Sequence, residues 1–225
     1  MDHSPVIKQV KPSIALVLAV LDPAQKLFST GSGFVFGTKN ILVTCNHVVK
    51  DASAVAIKFP DTNAAITSKV IIKDEEHDLA LLKFDDSTRN PLPISLINPV
   101  TEGLRVIFSG YPFSSEHLTT HQGIISAIIK DAAGITTYAI DGTVNSGNSG
   151  CPLMDTEGKV LGVVNLKRRQ HNRLLEAIEN MSVGALSLHG IDIVEIYKAL
   201  VSNVNLGMGY AVPANYIPDH KIITP

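Results

Sequence analysis

Thr143-Val-Asn-Ser-Gly-Asn-Ser-Gly-Cys-Pro-Leu-Met154 sets one serine between two glycines, Gly147-Asn148-Ser149-Gly150. The turn follows an apolar segment, Tyr138 to Ile140, and precedes a second, Val160 to Val164. Glycine on both sides lets the backbone turn sharply and aim N–H groups at one point. A serine that attacks a carbonyl needs that arrangement, with its oxygen exposed and donors converging where an oxyanion forms. Small polar residues between strands also make ordinary turns. Ser149 is a nucleophile only if a base and a carboxylate lie elsewhere in the chain.

Outward from this turn the chain is a series of short apolar runs rich in Val and Ile. They are Ile14–Leu21, Gly33–Phe36, Ile41–Thr44, Ala54–Phe59, Lys69–Ile72 and Ala80–Phe84, then Arg105–Gly110, Gly123–Ile129, Thr136–Ile140, Val160–Val164 and Met208–Val212. No helical pattern alternates with them, so an all-β sandwich or a pair of barrels is expected rather than βαβ units. The segment Asp85 to Pro99, with Pro91 and Pro93, reads as the connection between two halves. From Arg168 to Leu206 the pattern turns helical. Leu174, Leu175, Ile178 and Met181 recur at helix spacing, and Asp192 is placed to cap a helix striped by Ile193, Ile196, Tyr197, Leu200 and Val204. These stripes either pack on the sheet structure or form a module that covers a cleft or docks a partner.

Composition excludes several classes. Charged residues are only 18% of the 225 and the net charge is −2, with Lys167-Arg168-Arg169 the longest basic run, so no nucleic-acid partner is expected. Cys45 and Cys151 are too few for a disulfide scaffold and lack metal-ligand spacing. The histidines form no HExxH motif, so neither a metal site nor a cofactor is expected. The apolar run Ile14 to Leu21, preceded by Lys8 and Lys11, imitates the core of a signal peptide. It lacks a small-x-small cleavage pattern and is too short to span a bilayer. A buried first strand, no membrane partner and a cytoplasmic chain with reduced thiols are therefore expected.

Two upstream segments supply the missing partners for Ser149. Ile41-Leu-Val-Thr-Cys-Asn-His-Val-Val49 puts His47 at the end of one strand, and Glu76-His-Asp78-Leu-Ala-Leu-Leu-Lys-Phe84 puts Asp78 at the mouth of another. A hydroxyl becomes a useful nucleophile when an imidazole takes its proton and a buried carboxylate fixes the tautomer. The chain order His47, Asp78, Ser149 is the order found on double β-barrels, whereas α/β hydrolases run serine first. That order agrees with the all-β expectation.

With these residues in place the chain resembles the trypsin-like serine proteases, and among them the HtrA/Deg branch of bacterial and organellar proteases. The matching segments are Gly31-Ser-Gly-Phe-Val-Phe36, Leu42-Val-Thr-Cys-Asn-His-Val-Val49, His77-Asp-Leu-Ala-Leu-Leu82, Ser109-Gly-Tyr-Pro112, Gly123-Ile-Ile-Ser126, Asn145-Ser-Gly-Asn-Ser-Gly150, Gly158-Lys-Val-Leu-Gly162 and Gly209-Tyr-Ala-Val-Pro213. The resemblance implies two six-stranded antiparallel β-barrels over 12–88 and 100–213 in a single domain, 1–225, with the helical insertion 168–206 before the last strand. It implies a serine endopeptidase acting on protein or peptide substrates, with His47 as base then acid, Asp78 as orienting carboxylate and Ser149 as nucleophile. The oxyanion hole would be the N–H groups of Gly147 and Ser149, helped by that of Asn148. An extended substrate would pair with the edge Val164 to Lys167. The pocket for the residue before the scissile bond would lie between Thr143, Asn165, Leu166, Lys167, Tyr210, Ala211 and Val212. Thr143 stands where a basic-specific protease carries an acid, so a small or medium aliphatic residue is expected there. The alternative is a protease-like module that binds peptides without turning them over.

The sequence departs from the family in three ways. Cys151 replaces a usual glycine after Gly150 and would be strained at positive φ; with Cys45 it makes either a redox-sensitive pair or two buried small hydrophobes. The 168–206 connection is much longer than usual, which suggests a regulatory domain or partner acting through it or through the C-terminus. No peptide-binding PDZ domain follows, as expected of either a stand-alone protease domain or the front of a longer protein.

Overall fold

The apolar runs close on themselves. In the computed structural model, which describes residues 2–24, 27–166, 178, 181–197 and 207–218, the first six strands are β1 (Ile14–Asp22), β2 (Leu27–Val35), β3 (Ile41–Cys45), β4 (Ala54–Lys58), β5 (Ile66–Asp74) and β6 (Leu79–Phe84). They form a closed antiparallel barrel in the order β1-β2-β3-β6-β5-β4. The second series is β7 (Arg105–Gly110), β8 (Thr119–Lys130), β9 (Thr136–Asp141), β10 (Pro152–Met154), β11 (Val160–Val164), β12 (Ser187–Leu188), β13 (Ile191–Asp192) and β14 (Met208–Pro213). Six of these close a second antiparallel barrel, β10-β11-β14-β9-β8-β7, while β12 and β13 pair only with each other. A helix, α1 (Ser4–Val10), precedes the first barrel and buries Val10.

Burial on both faces explains why β3 and β11 read as continuous apolar runs rather than alternating ones. Every residue of each is buried. In β11, Leu161 and Val164 enter the core of the second barrel, whereas Val160 and Val163 join a cluster that also contains Phe34, Leu42, Leu81 and Tyr111. That larger cluster runs through the first barrel and across the junction between the two. The connection is stitched to both. Leu92 N–H donates to Val35 O at 2.9 Å, Val160 N–H donates to Pro93 O at 2.7 Å, and Ser95 Oγ–H donates to Asp155 Oδ2 at 2.7 Å. Arg89, nearly buried, stacks on Phe59 and pairs with Asp61 and Asp86.

Strand β10 was not expected. It has three residues and begins with Pro152, which is tolerated at the first position of a strand but hides the apolar signal. The stretch 167–206 forms a compact unit of its own, and its described part is not helical throughout. Leu188 and Ile191 flank a tight turn with His189 at φ 52° and Gly190 at φ 82°, the pairing of positive φ values that closes a β-hairpin. Residues 193–197 are then helical. Asp192 caps them as its position predicts, accepting the N–H of Val194 at 2.8 Å and of Glu195 at 3.1 Å. Leu174, Leu175, Leu200 and Val204 lie outside the described residues. No described helix is long and apolar enough to cross a membrane.

Candidate active site

His47 lies on a single helical turn, α2 (Asn46–Val49), that follows β3 directly. The β3–β6 register pairs Cys45 with Leu79, which brings Asp78 beside the turn. Asn46 N–H donates to Asp78 O at 2.9 Å. The carboxylate then grips His47 twice: Oδ1 accepts the backbone N–H at 2.8 Å and Oδ2 meets Nδ1 at 2.6 Å. A third donor, Asn165 Nδ2, reaches Oδ2 at 3.0 Å. Asp78 is only 6% exposed and holds φ at 56°, a left-handed conformation that Asp tolerates better than most residues. With Nδ1 held as the donor, Nε2 is left as the basic nitrogen.

The Ser149 turn is built differently. It has no ladder of its own and is pinned at single points to both barrels. Ser149 O accepts Ser32 N–H at 2.8 Å, and Gly150 N–H donates to Val164 O at 2.8 Å. Gly147 and Gly150 have φ of 93° and 90°; a Cβ would stand 2.2 Å from Tyr111 O at the first and 2.1 Å from Ser32 O at the second. Neither position admits another residue without moving backbone.

Peptide directions in the turn follow from the bonds of its carbonyls. Ser146 O accepts Phe113 N–H at 2.7 Å, and Asn148 O accepts Cys151 N–H at 3.0 Å. In a trans peptide the N–H points opposite to the C=O, so the N–H groups of Gly147 and Ser149 face away from those contacts. Neither donates to a protein acceptor among the described residues. Asn148 differs: its N–H donates to Asn145 O at 3.0 Å. The expected third donor is therefore used inside the turn. Ser149 Oγ accepts Leu166 N–H at a long 3.4 Å, and no hydrogen bond joins it to His47 among the described residues.

The expected pocket residues divide. Thr143 is exposed, and Tyr210 and Leu166 are partly buried. Ala211 and Val212 are not free walls, because their side chains sit in the two core clusters. Asn165 uses its N–H on Tyr210 O at 2.8 Å and its side chain on Asp78, a positioning arrangement rather than the substrate contact expected of it. Lys167 lies outside the described residues. Neither cysteine is in a disulfide. Cys151 has no positive φ, since Gly150 carries the turn, so the expected strain is absent. It is fully buried in the second core, and desolvation pushes its thiol pKa well up.

Ser32 and Phe113 escaped the sequence reading. Ser32 Oγ–H donates to Gly147 O at 2.7 Å and Oγ accepts Tyr111 N–H at 2.9 Å. Phe113, with φ at 55°, supplies the N–H that turns Ser146 O. The nearest sequence signals were Gly31-Ser32-Gly33 and Tyr111-Pro112-Phe113, whose glycines and proline mark backbone that approaches something closely.

Known proteins share this fold. The family model for the trypsin-like peptidase domain matches residues 31–163. A probable periplasmic serine endoprotease DegP-like from Rickettsia conorii is 35% identical over 162 residues, covering 68% of this chain and 31% of its own. Its namesake in Pseudomonas fluorescens is 32% identical over 145 residues, 63% of this chain and 30% of the relative. The chloroplastic Protease Do-like 1 of Arabidopsis thaliana is 30% identical over 158 residues, 66% of this chain and 35% of its own. The chain thus spans about a third of the length of these relatives. Among solved structures, the HtrA-type protease AlgW with a tripeptide superposes with TM-score 0.71 at 21% identity, covering 96% of this chain and 60% of that one. A Mycobacterium tuberculosis protease in its active form gives 0.68 at 23% identity, covering 94% and 80%. Relatives named periplasmic overturn the expectation of a cytoplasmic chain and point outside the cytoplasm. The expectation failed because a buried first strand and two buried thiols report packing, not compartment. The chain belongs to the trypsin-like peptidase family and is similar to DegP-like and HtrA-type proteases.

Proposed function

We propose that this domain hydrolyses peptide bonds of protein substrates through an acyl-enzyme on Ser149. The observation that carries the reading is the double grip of Asp78 on His47, set beside a turn whose Gly147 and Ser149 N–H groups have no acceptor among the described residues. Nε2 of His47 takes the Ser149 proton as Oγ attacks the scissile carbonyl, and returns it to the leaving amine. Asp78 keeps the proton of the neutral ring on Nδ1 and stabilises the imidazolium. The two N–H groups receive the charge that develops on the carbonyl oxygen, where one such donor is worth about 10²–10³ in rate. The Ser149–His47 bond forms as substrate enters, since catalytic hydrogen bonds commonly tighten only in the complex.

An extended substrate pairs with the main chain at Leu166, just past the end of β11, adding a strand to the second barrel. The pocket beside Thr143 and Tyr210 takes a small or medium aliphatic residue, because Thr143 supplies no charge. A panel of peptides varied at that one residue tests this, and a preference for Lys or Arg would contradict it. The 167–206 unit leaves the chain directly after Leu166, whose N–H touches Ser149 Oγ. A partner bound to that unit would therefore act on the nucleophile through one residue. Replacing 169–205 by a short Gly/Ser linker should change rate or specificity, and unchanged hydrolysis would leave the unit without a regulatory role.

The catalytic reading is tested by quenching peptide hydrolysis in acid and weighing the protein. An acyl adduct on Ser149 is expected. Turnover without any adduct on Ser149, or none in the presence of a cleavable panel, would set the reading aside.

A further inference from the structure

The β3–β6 register that brings Asp78 to His47 also brings Cys45. Sγ of Cys45, a ring nitrogen of His47 and a carboxylate oxygen of Asp78 all lie within 4.8 Å of one another. Thiolate, imidazole and carboxylate are together the donor set of a borderline-soft divalent ion. Motif spacing could not show it, because two ligands are two residues apart and the third comes from the turn just before the neighbouring strand.

We propose that Cys45, His47 and Asp78 form a site for Zn²⁺ or Cd²⁺ that displaces the proton shared by His47 and Asp78. A tetrahedral ion with bonds of about 2.0–2.3 Å needs donors about 3.3–3.6 Å apart. The Nδ1–Oδ2 pair, at 2.6 Å, opens to admit the ion while the thiol closes in. Cys45 and Asp78 are buried, and the His47 side chain is 26% exposed, so the ion enters on the imidazole side with water as a fourth ligand. Binding releases the Sγ proton, which now rests toward Val164 O at 3.3 Å. The ion's two charges are then balanced by the thiolate and the carboxylate. The Nδ1 proton moves to Nε2 through solvent. A metallated imidazole then presents N–H to Ser149 and cannot act as its base. This consequence rests on the catalytic reading above; the binding itself does not.

The test uses the full chain and Cd²⁺ alone, followed by the ultraviolet cadmium–thiolate charge-transfer band and by proton release. The band should saturate at one ion per chain, vanish in Cys45→Ser and Cys45→Ala, and persist in Cys151→Ala. Affinity should fall at least about tenfold in Asp78→Asn. A band that survives both Cys45 substitutions, or an affinity unmoved by Asp78→Asn, overturns the site. In the second arm Zn²⁺ should slow labelling of the wild type by a fluorophosphonate, chelator should restore it, and Cys45→Ala should label without responding to Zn²⁺. Metal binding with unchanged labelling overturns the displacement of the proton. A wild type that never labels, even with chelator, counts against Ser149 as nucleophile, and the Cd²⁺ arm alone then decides the site.

Discussion

His47 and Ser149 are held by two different kinds of backbone. The His47 side is fixed by sheet register: five consecutive β3–β6 pairs, Ile41 with Lys83 through Cys45 with Leu79, fix where the carboxylate meets the imidazole. The Ser149 side is irregular chain between β9 and β10, fixed by scattered bonds to Ser32, Phe113 and Val164. A register cannot shift by a fraction of a residue without losing a whole ladder. A turn pinned at points can lose one pin and keep the others. The His47 half of the site is therefore built to be permanent, and the Ser149 half to be adjustable.

That contrast can be broken or sharpened by substitution, from the largest effect to the smallest. Asp78→Asn should lower kcat about 10⁴-fold by releasing the wrong tautomer. Measured by peptide hydrolysis, a loss of tenfold or less would show that the double grip is not what orients His47. Gly147→Ala, which drives a Cβ to 2.2 Å from Tyr111 O, should cost about 10²–10³ in kcat by rotating one oxyanion donor away. Full activity there would mean that Gly147 N–H plays no part. Ser32→Ala should leave Gly147 O and Tyr111 N–H without their buried partner, costing about 1–3 kcal/mol in urea unfolding. Its kcat should fall while KM stays nearly constant, as for a residue that positions the turn. Cys151→Ala removes only a buried sulfur from the second core, and about 1 kcal/mol or somewhat more of stability with unchanged kcat is expected. A large loss of activity would assign Cys151 a role that its burial denies.

The same division explains what could be read before the structure. The strands that carry His47 and Asp78 announce themselves through runs such as Ile41–Thr44 and Ala80–Phe84, because strand geometry imposes a pattern on side chains. The Ser149 turn announces only its glycines. Which way the Gly147 and Ser149 amides point depends on Phe113 and Ser32, which are far off in sequence and act through main chain and one hydroxyl. No periodicity records such contacts. Asn148 was expected to help as a third donor for that reason, and its bond to Asn145 is a local turn contact that residue types alone do not decide. The hairpin of β12 and β13 was hidden by apolar residues whose spacing also fits a helix, and only the αL residues His189 and Gly190 mark it.

The central claim is that Ser149 is a nucleophile activated by His47. Labelling by a fluorophosphonate, located by mass spectrometry in the wild type, Ser149→Ala and His47→Ala, tests it most directly. The account predicts a single adduct on Ser149, none in Ser149→Ala, and labelling of His47→Ala slowed by several orders of magnitude. An adduct on Ser149 that forms equally fast without His47, or no adduct on Ser149 in the wild type, would contradict it.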